Sequence, residues 1–427
     1  MKKALILVSC VLPVSLVLLS CGSTPSSSGG SGSGLKFRAF ISQDVNAGNV
    51  SAGLQIIDAK KDVRAFVAPI SAGARPGLMV VTPNRVQTLV FSDADNRLTL
   101  ISNGGESASA QTTLPGFTES IVVSPDSLTA YVAVPTASVV GQSPGAVEIL
   151  NLNTGGITGQ IAIPAVRHLA LGHSGNRLLA FSDNLNSVAV VSFGTGNPAV
   201  TFVDGFDRPV MAFFSGDDNT AYVVNCGAEC GGTQASVQTL DLMTNTAGPP
   251  KGVCTPGNTS CVQAASVAVL DGTTLYLAGT PVPASPCTGQ TTAATSCGLL
   301  TVFDLTSSSV TKSSIVITDG YHNRMALGAN GQLFVGAHNC TEIIPPIPPP
   351  QGAEVRGCLS IYNTQTFAVV IPPANGDVTG IEPIATRKVV YVVQGGELQI
   401  YDTITDKLQT TQIDVSGQVI DVKTVDF

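Results

Sequence analysis

No tryptophan occurs anywhere in the 427 residues, so any repeat whose signature position is an indole is argued against from the outset. Charge is scarce too: Asp, Glu, Lys and Arg together make 12% of the chain, while hydrophobic residues make 44%. A composition this apolar can bury a core, which sets aside a disordered chain. Cations are the rarer charge, 21 against 29 acidic side chains, so no electrostatic argument favours nucleic acid or an anionic lipid surface as partner. Only four histidines are present. The sequence has no H-E-x-x-H, no nucleophile elbow and no Gly-rich phosphate loop opening a helix, which removes those three catalytic classes.

What the chain does have is glycine (44), proline (26) and one recurring unit. Its cleanest copy is Ala165 to Phe193, AVRHLALGHSGNRLLAFSDNLNSVAVVSF. The apolar runs LALG, RLLAFSD and SVAVVSF are short and are separated by Ser-Gly-Asn and Asn-Leu-Asn, both turn compositions; ITGQIAIP stands just before them. No 11-residue window of this copy keeps apolar residues at helical spacing, so the pattern predicts a four-stranded antiparallel meander. A meander of this kind buries both faces by stacking on copies of itself. Aligned first strands begin near Gly77, Glu119, Arg167, Val210, Ala265, Asn323, Gly380 and Gln418. KFRAFISQD, GLQIIDA and VRAFVAPI supply three strands at the N-terminal end that lack a first strand, and QVIDVKTVDF is a last first strand without successors. The expected fold is therefore all-β, a single β-propeller of four-stranded blades. One blade is closed by one C-terminal and three N-terminal strands, which leaves no terminal sheet edge unpaired. The repeat count is eight, with seven as the alternative if the copy from Gly380 to Thr403 is absorbed differently.

The pairs SPDSLTAYVAV with GAVEILNL and TAYVVN with SVQTLDL resemble the repeat of YVTN-type β-propellers, a set that includes surface-layer repeat proteins and lactonase-like propellers. The resemblance covers nearly the whole chain after residue 34 and implies the propeller fold; function lies in the site and not in the repeat. The absent tryptophan argues against WD repeats, sialidase Asp-boxes and the blade motifs of quinoprotein dehydrogenases.

Ahead of the repeats, Lys2 and Lys3 precede an apolar run from Ala4 to Leu19 that ends in Leu-Leu-Ser-Cys. Residues 1–20 read as an export signal, too short for a confident membrane span. The ending resembles the lipobox of bacterial lipoproteins, which implies lipidation of Cys21. Residues 21–34 contain, after Cys21, only Gly, Ser, Thr and Pro and read as a flexible tether, leaving 35–427 as the propeller. The expected address is a membrane-anchored lipoprotein facing the periplasm or cell surface. Besides Cys10 and Cys21, eight cysteines remain in four sequence-local pairs: Cys226 with Cys230, Cys254 with Cys261, Cys287 with Cys297, and Cys340 with Cys358. In an exported chain they read as disulfides, and no metal site or cofactor is expected.

In a propeller the connections from second to third strand and from fourth to next first strand share one face. The long segments Val134–Ala146, Cys226–Ala235, Thr246–Gln263, Gly279–Cys297 and Ala337–Cys358 all fall there, and so do the cysteine pairs. The proline run 343–350 between Cys340 and Cys358 reads either as a docking spike or as a rigid spacer. Residues just ahead of the first strands ring the axis on that face: Arg75, Glu119, Arg167, His168, Arg208, His322, Asn323, Arg324 and Glu382. Arg75, Arg167, Arg208 and Arg324 are candidate ligands for an anion, unless each only pairs with a neighbouring carboxylate. His168 and His322, with Glu119 or Glu382, are candidate acid–base groups; His173 and His338 are expected away from the ring. The expected function is a binding or scaffold module for a protein, a glycan or an anionic small molecule. The alternative is a lactonase-like hydrolase with His, Arg and Glu at the channel mouth, as the resemblance implies.

Overall fold

The computed structural model describes residues 32–44, 52–194, 196–254, 264–282, 297–340, 357–372 and 376–426. Its sheets form eight blades in a ring, a β-propeller. The copy from Gly380 makes a full blade (Val378–Pro383, Val389–Gln394, Glu397–Asp402, Lys407–Leu408), which settles the count at eight. Closure follows the expected plan. The last strand, Gln418–Thr424, pairs antiparallel with Arg38–Asp44, which pairs in turn with Gly53–Asp58 and then Val63–Arg64.

Local chemistry explains why the meander repeats. Between the innermost and second strands a Ser or Thr hydroxyl meets the side chain two residues on: Thr82 with Asn84, Ser124 with Asp126, Ser215 with Asp217. The residue after that Asn or Asp, Arg85, Ser127 or Asp218, takes a left-handed backbone that closes the turn. At the end of the third strand an Asp or Asn accepts bonds from the backbone N–H groups two and three residues later. Asn151, Asp241, Asp304, Asn363 and Asp402 all do so.

The second and third strands are buried on both faces, as in Arg177–Ser182 and Ser187–Ser192, which is why they read as unbroken apolar runs and not as alternation. Their side chains form eight hydrophobic clusters among the described residues, one between each pair of neighbouring blades. Innermost strands such as Val166–Leu171 are only half-buried because one face looks into the channel.

The disulfides Cys226–Cys230 and Cys340–Cys358 are formed. Cys254 and Cys297 are also disulfide-bonded, and their expected partners Cys261 and Cys287 lie outside the described residues, as do Cys21 and the proline run 343–350. The folded body reaches slightly further towards the N-terminus than position 35: Ser33 donates its hydroxyl to Glu106 at 2.6 Å. No helix among the described residues is long and apolar enough to cross a membrane.

Candidate functional site at the channel mouth

Six of the eight innermost strands carry a bulge near the mouth. Pairing with the second strand skips Gly77 and Leu78, Arg167, Val210, Asn323, Thr379 and, in the closing strand, Ile420. A bulge leaves a residue out of the ladder and re-aims its side chain. Here every skipped residue lines one of two adjoining cavities at the mouth. The axial cavity, about 280 Å³, includes Phe91, Phe117, Met211, Asn323, Arg324 and Thr379 in its wall. The lateral one, about 370 Å³, lies between Arg167, Asp183, Arg208 and Cys230. Glu119, His168, Val210 and Tyr321 belong to both.

The four arginines are not equivalent. Arg75 is saturated by Asp93, with both oxygens accepting at 2.6 Å, and this bond holds its guanidinium firmly charged. Arg167 is shared between Glu119 at 2.6 Å and Asp183 at 2.9 Å. Among the described residues Arg324 donates to two backbone carbonyls alone, Thr379 O at 3.0 Å and Asn323 O at 3.1 Å. Arg208 has no carboxylate within ion-pair distance among the described residues, and its Nε is buried without a partner. Arg208 and Arg324, one per cavity, are thus the arginines of this set that form no ion pair among the described residues, with Asp207 the carboxylate whose charge Arg208 favours from further off.

The histidines divide differently from the expectation. His168 stands in the wall common to both cavities, and burial pushes its imidazole towards the neutral form, with Glu119 opposing. His322 is fully buried and lines neither cavity. Its Nε2 lies 3.0 Å from Thr318 O, and burial lowers its pKa to about 4. Its ring fills the space that a side chain at Gly298 would need. In this position it has no path to a ligand. His338, expected away from the ring, stands at the mouth in its stead: it lines the axial cavity, with Nε2 buried and unpartnered. Burial again favours the neutral ring. His173 is on the other face, bonded to Asp218.

Glu382 also lies off the cavities. The strand starts at Val378, two residues before the expected start, so Glu382 sits further along and clamps Thr424 of the closing strand. The groups that sequence reasoning passed over are Tyr321, half exposed in the shared wall, and the aromatic pair Phe91 and Phe117, 5.8 Å apart edge to face. Glu229 was missed as well. It rides on the short 3-10 turn Gly227–Cys230, closed by the disulfide, and its Oε2 sits in the notch left by the missing side chain of Gly279. Burial raises its pKa to about 7. The cysteine spacing marked this loop, but nothing in the sequence marked the carboxylate.

No family model matches the chain, and no curated protein matches it. Solved structures do. Dihydro-heme d1 dehydrogenase NirN in complex with DHE superimposes with a TM-score of 0.61 over 92% of this chain and 75% of that one, at 12% identity. Hydrazine synthase of Kuenenia stuttgartiensis follows at a TM-score of 0.50, 18% identity, 68% of this chain and 78% of that one. A β-propeller domain from Myceliophteria thermophila matches at a TM-score of 0.50, 9% identity, over 74% of this chain and 93% of that one. At these identities the likeness is one of fold, and it places the chain among β-propellers without assigning it a reaction.

Proposed function

We propose that this propeller is an extracytoplasmic binding module, tethered by lipid on Cys21, that holds a small anionic molecule at the mouth of its channel. The observation that carries the reading is the pair of cavities, each with one arginine that forms no ion pair among the described residues. A buried or half-buried guanidinium without a carboxylate is costly unless an anion completes it. The disulfides support an oxidising, extracytoplasmic address, and the composition of the leader supports the tether. The loop-rich face around the mouth also offers the surface on which a protein or glycan partner would sit.

Thermal-shift screening against carboxylates and phosphates tests the binding reading. Stabilisation by anions that is lost in an Arg208→Ala, Arg324→Gln double variant is the expected result. No response to any anion would defeat it. The hydrolase reading has one observation in its favour, a neutral His168 beside Glu119 and Tyr321 in the shared wall. Lactone turnover that disappears with His168→Ala would favour that reading instead.

A further inference from the structure

Resting on that reading, the geometry of the axial cavity points to a narrower ligand class: we propose a monocarboxylate carried on an aromatic or similarly flat apolar body. Three observations converge on it. First, the wall is largely apolar. Phe91, Phe117, Leu78, Met211, Val267 and Ile420 line it, and Phe117 remains 44% exposed with its ring edge-on to Phe91. An exposed aromatic ring facing a cavity is a stacking platform that a bare inorganic anion leaves unused.

Second, the acids in the wall are already neutralised. Asp93 is held by Arg75 and Glu119 by Arg167. Asp421 accepts the backbone N–H of Met79 and of Val422 at 2.9 and 2.8 Å, with Lys423 at 3.6 Å. Among the described residues, the cation of this wall left without an acid is Arg324, aimed by two carbonyls that do not neutralise it. One free cation matches one anionic group. A second negative charge, as on a phosphate dianion or a dicarboxylate, would find no further free cation among the described residues of this wall.

Third, the polar atoms beside Arg324 are unsatisfied. Thr379 Oγ1, Asn323 Oδ1 and His338 Nε2 are buried in the same wall with no partner. The Thr379 hydroxyl and the His338 ring can each donate to a carboxylate, and the Asn323 oxygen can accept from a hydroxyl or amide on the ligand. Volume sets the size: about 280 Å³ lies just below the usual range of ligand pockets, about 300 to 1,000 Å³, and so admits a small molecule.

The test is calorimetric titration of the protein, purified with its disulfides intact, with benzoate, phenylacetate, 3-phenylpropionate and 4-phenylbutyrate. The matching primary amides, acetate, phenylsuccinate and phenyl phosphate are run beside them. The expected result is binding of at least one aryl monocarboxylate, with its amide, acetate and both dianions each about tenfold weaker or more. Arg324→Gln should cost about tenfold with Arg324→Lys between, and Phe117→Ala should weaken the aryl acids while leaving acetate unchanged. Melting curves confirm that each variant is folded. If acetate or the dianions bind as well as the aryl acids, the anion site stands and the amphipathic class is wrong. If only anions without an aryl body bind, the same conclusion follows. If no anion of any kind binds, the binding reading falls with it.

Discussion

The seam where the ring closes and the mouth where it opens use the same residue in opposite ways. At the seam, Arg38 grips Asp426 with two bonds at 2.6 and 2.8 Å, Glu106 at 2.7 Å and Asn103 O at 2.6 Å. Arg387 grips Asp62 with both terminal nitrogens, at 2.5 and 2.7 Å, and Tyr391 donates to the same carboxylate. These forks are complete and largely buried. At the mouth, neither Arg208 nor Arg324 has a carboxylate within ion-pair distance among the described residues. An arginine that serves only the fold is satisfied by the fold. One left open at a cavity is the group on which the proposed anion site rests.

The sharpest way to break the comparison is at the seam. Deleting 418–427 removes the innermost strand of the closing blade and exposes the edge of Arg38–Asp44. Loss of a cooperative melting transition, with aggregation on size exclusion, is expected. An unchanged transition would show that closure is not needed. Arg387→Met comes next: it leaves the buried Asp62 carboxylate with the Tyr391 hydroxyl but without its cation and should lower stability by about 3 kcal/mol in urea unfolding. Reduction of the disulfides should cost roughly 2 to 3 kcal/mol per bridge at most, because the two described loops span only 4 and 18 residues. The circular-dichroism signature should persist after reduction while ligand binding is lost; a ring that unfolds on reduction would place the bridges on the seam side of the comparison.

A smaller effect belongs to Glu229. Its carboxyl ordinarily titrates near 4.5 and in the folded protein near 7, so the folded state holds a proton that the unfolded chain has released. Stability therefore falls as pH rises from about 4.5 to 7. His322 acts in the opposite sense, since its pKa falls from 6.5 to about 4 and stability rises with pH across that window. Glu229→Gln isolates the first term: equal to the parent at pH 4.5, more stable by about 1 to 2 kcal/mol at pH 8. A variant equally affected at both pH values would show that the carboxylate is not buried when charged. The smallest stability change is expected at the mouth itself. Arg208→Ala should shift unfolding by no more than about 0.5 kcal/mol, in contrast to Arg387, while weakening anion binding in a salt-dependent way.

The blades were legible because their signals are local. The Asp or Asn that ends a third strand and the Asp of the Ser-x-Asp turn each accept from backbone N–H groups two or three residues away, so spacing alone reveals them. Closure was legible for a topological reason, three strands at one end and one at the other. The site was legible only as a neighbourhood. Arg167, Arg208, Arg324, His168 and Glu119 do meet at the cavities, yet the exchange of His322 for His338 could not be read. It depends on a bulge at Asn323, and the residues skipped at the other bulges include Arg, Val, Thr and Ile, which share no composition. Which arginines are paired was equally hidden, because Glu119 reaches Arg167 from 48 positions away.

The closing blade also sets the order in which the molecule can come into being. Its strands come from the two ends of the chain, and the Arg38–Asp426 bond joins residues 388 positions apart. Bringing ends so distant together carries a chain-entropy cost of about 5 kcal/mol from length alone, unless the intervening blades have already stacked. Those blades are built from neighbours in sequence and can form as the chain emerges. The first three strands, by contrast, must wait with an open edge until the last ten residues arrive. Closure is thus the last step in folding of the ring, and the half-built first blade is the surface that a chaperone or protease meets in the interval.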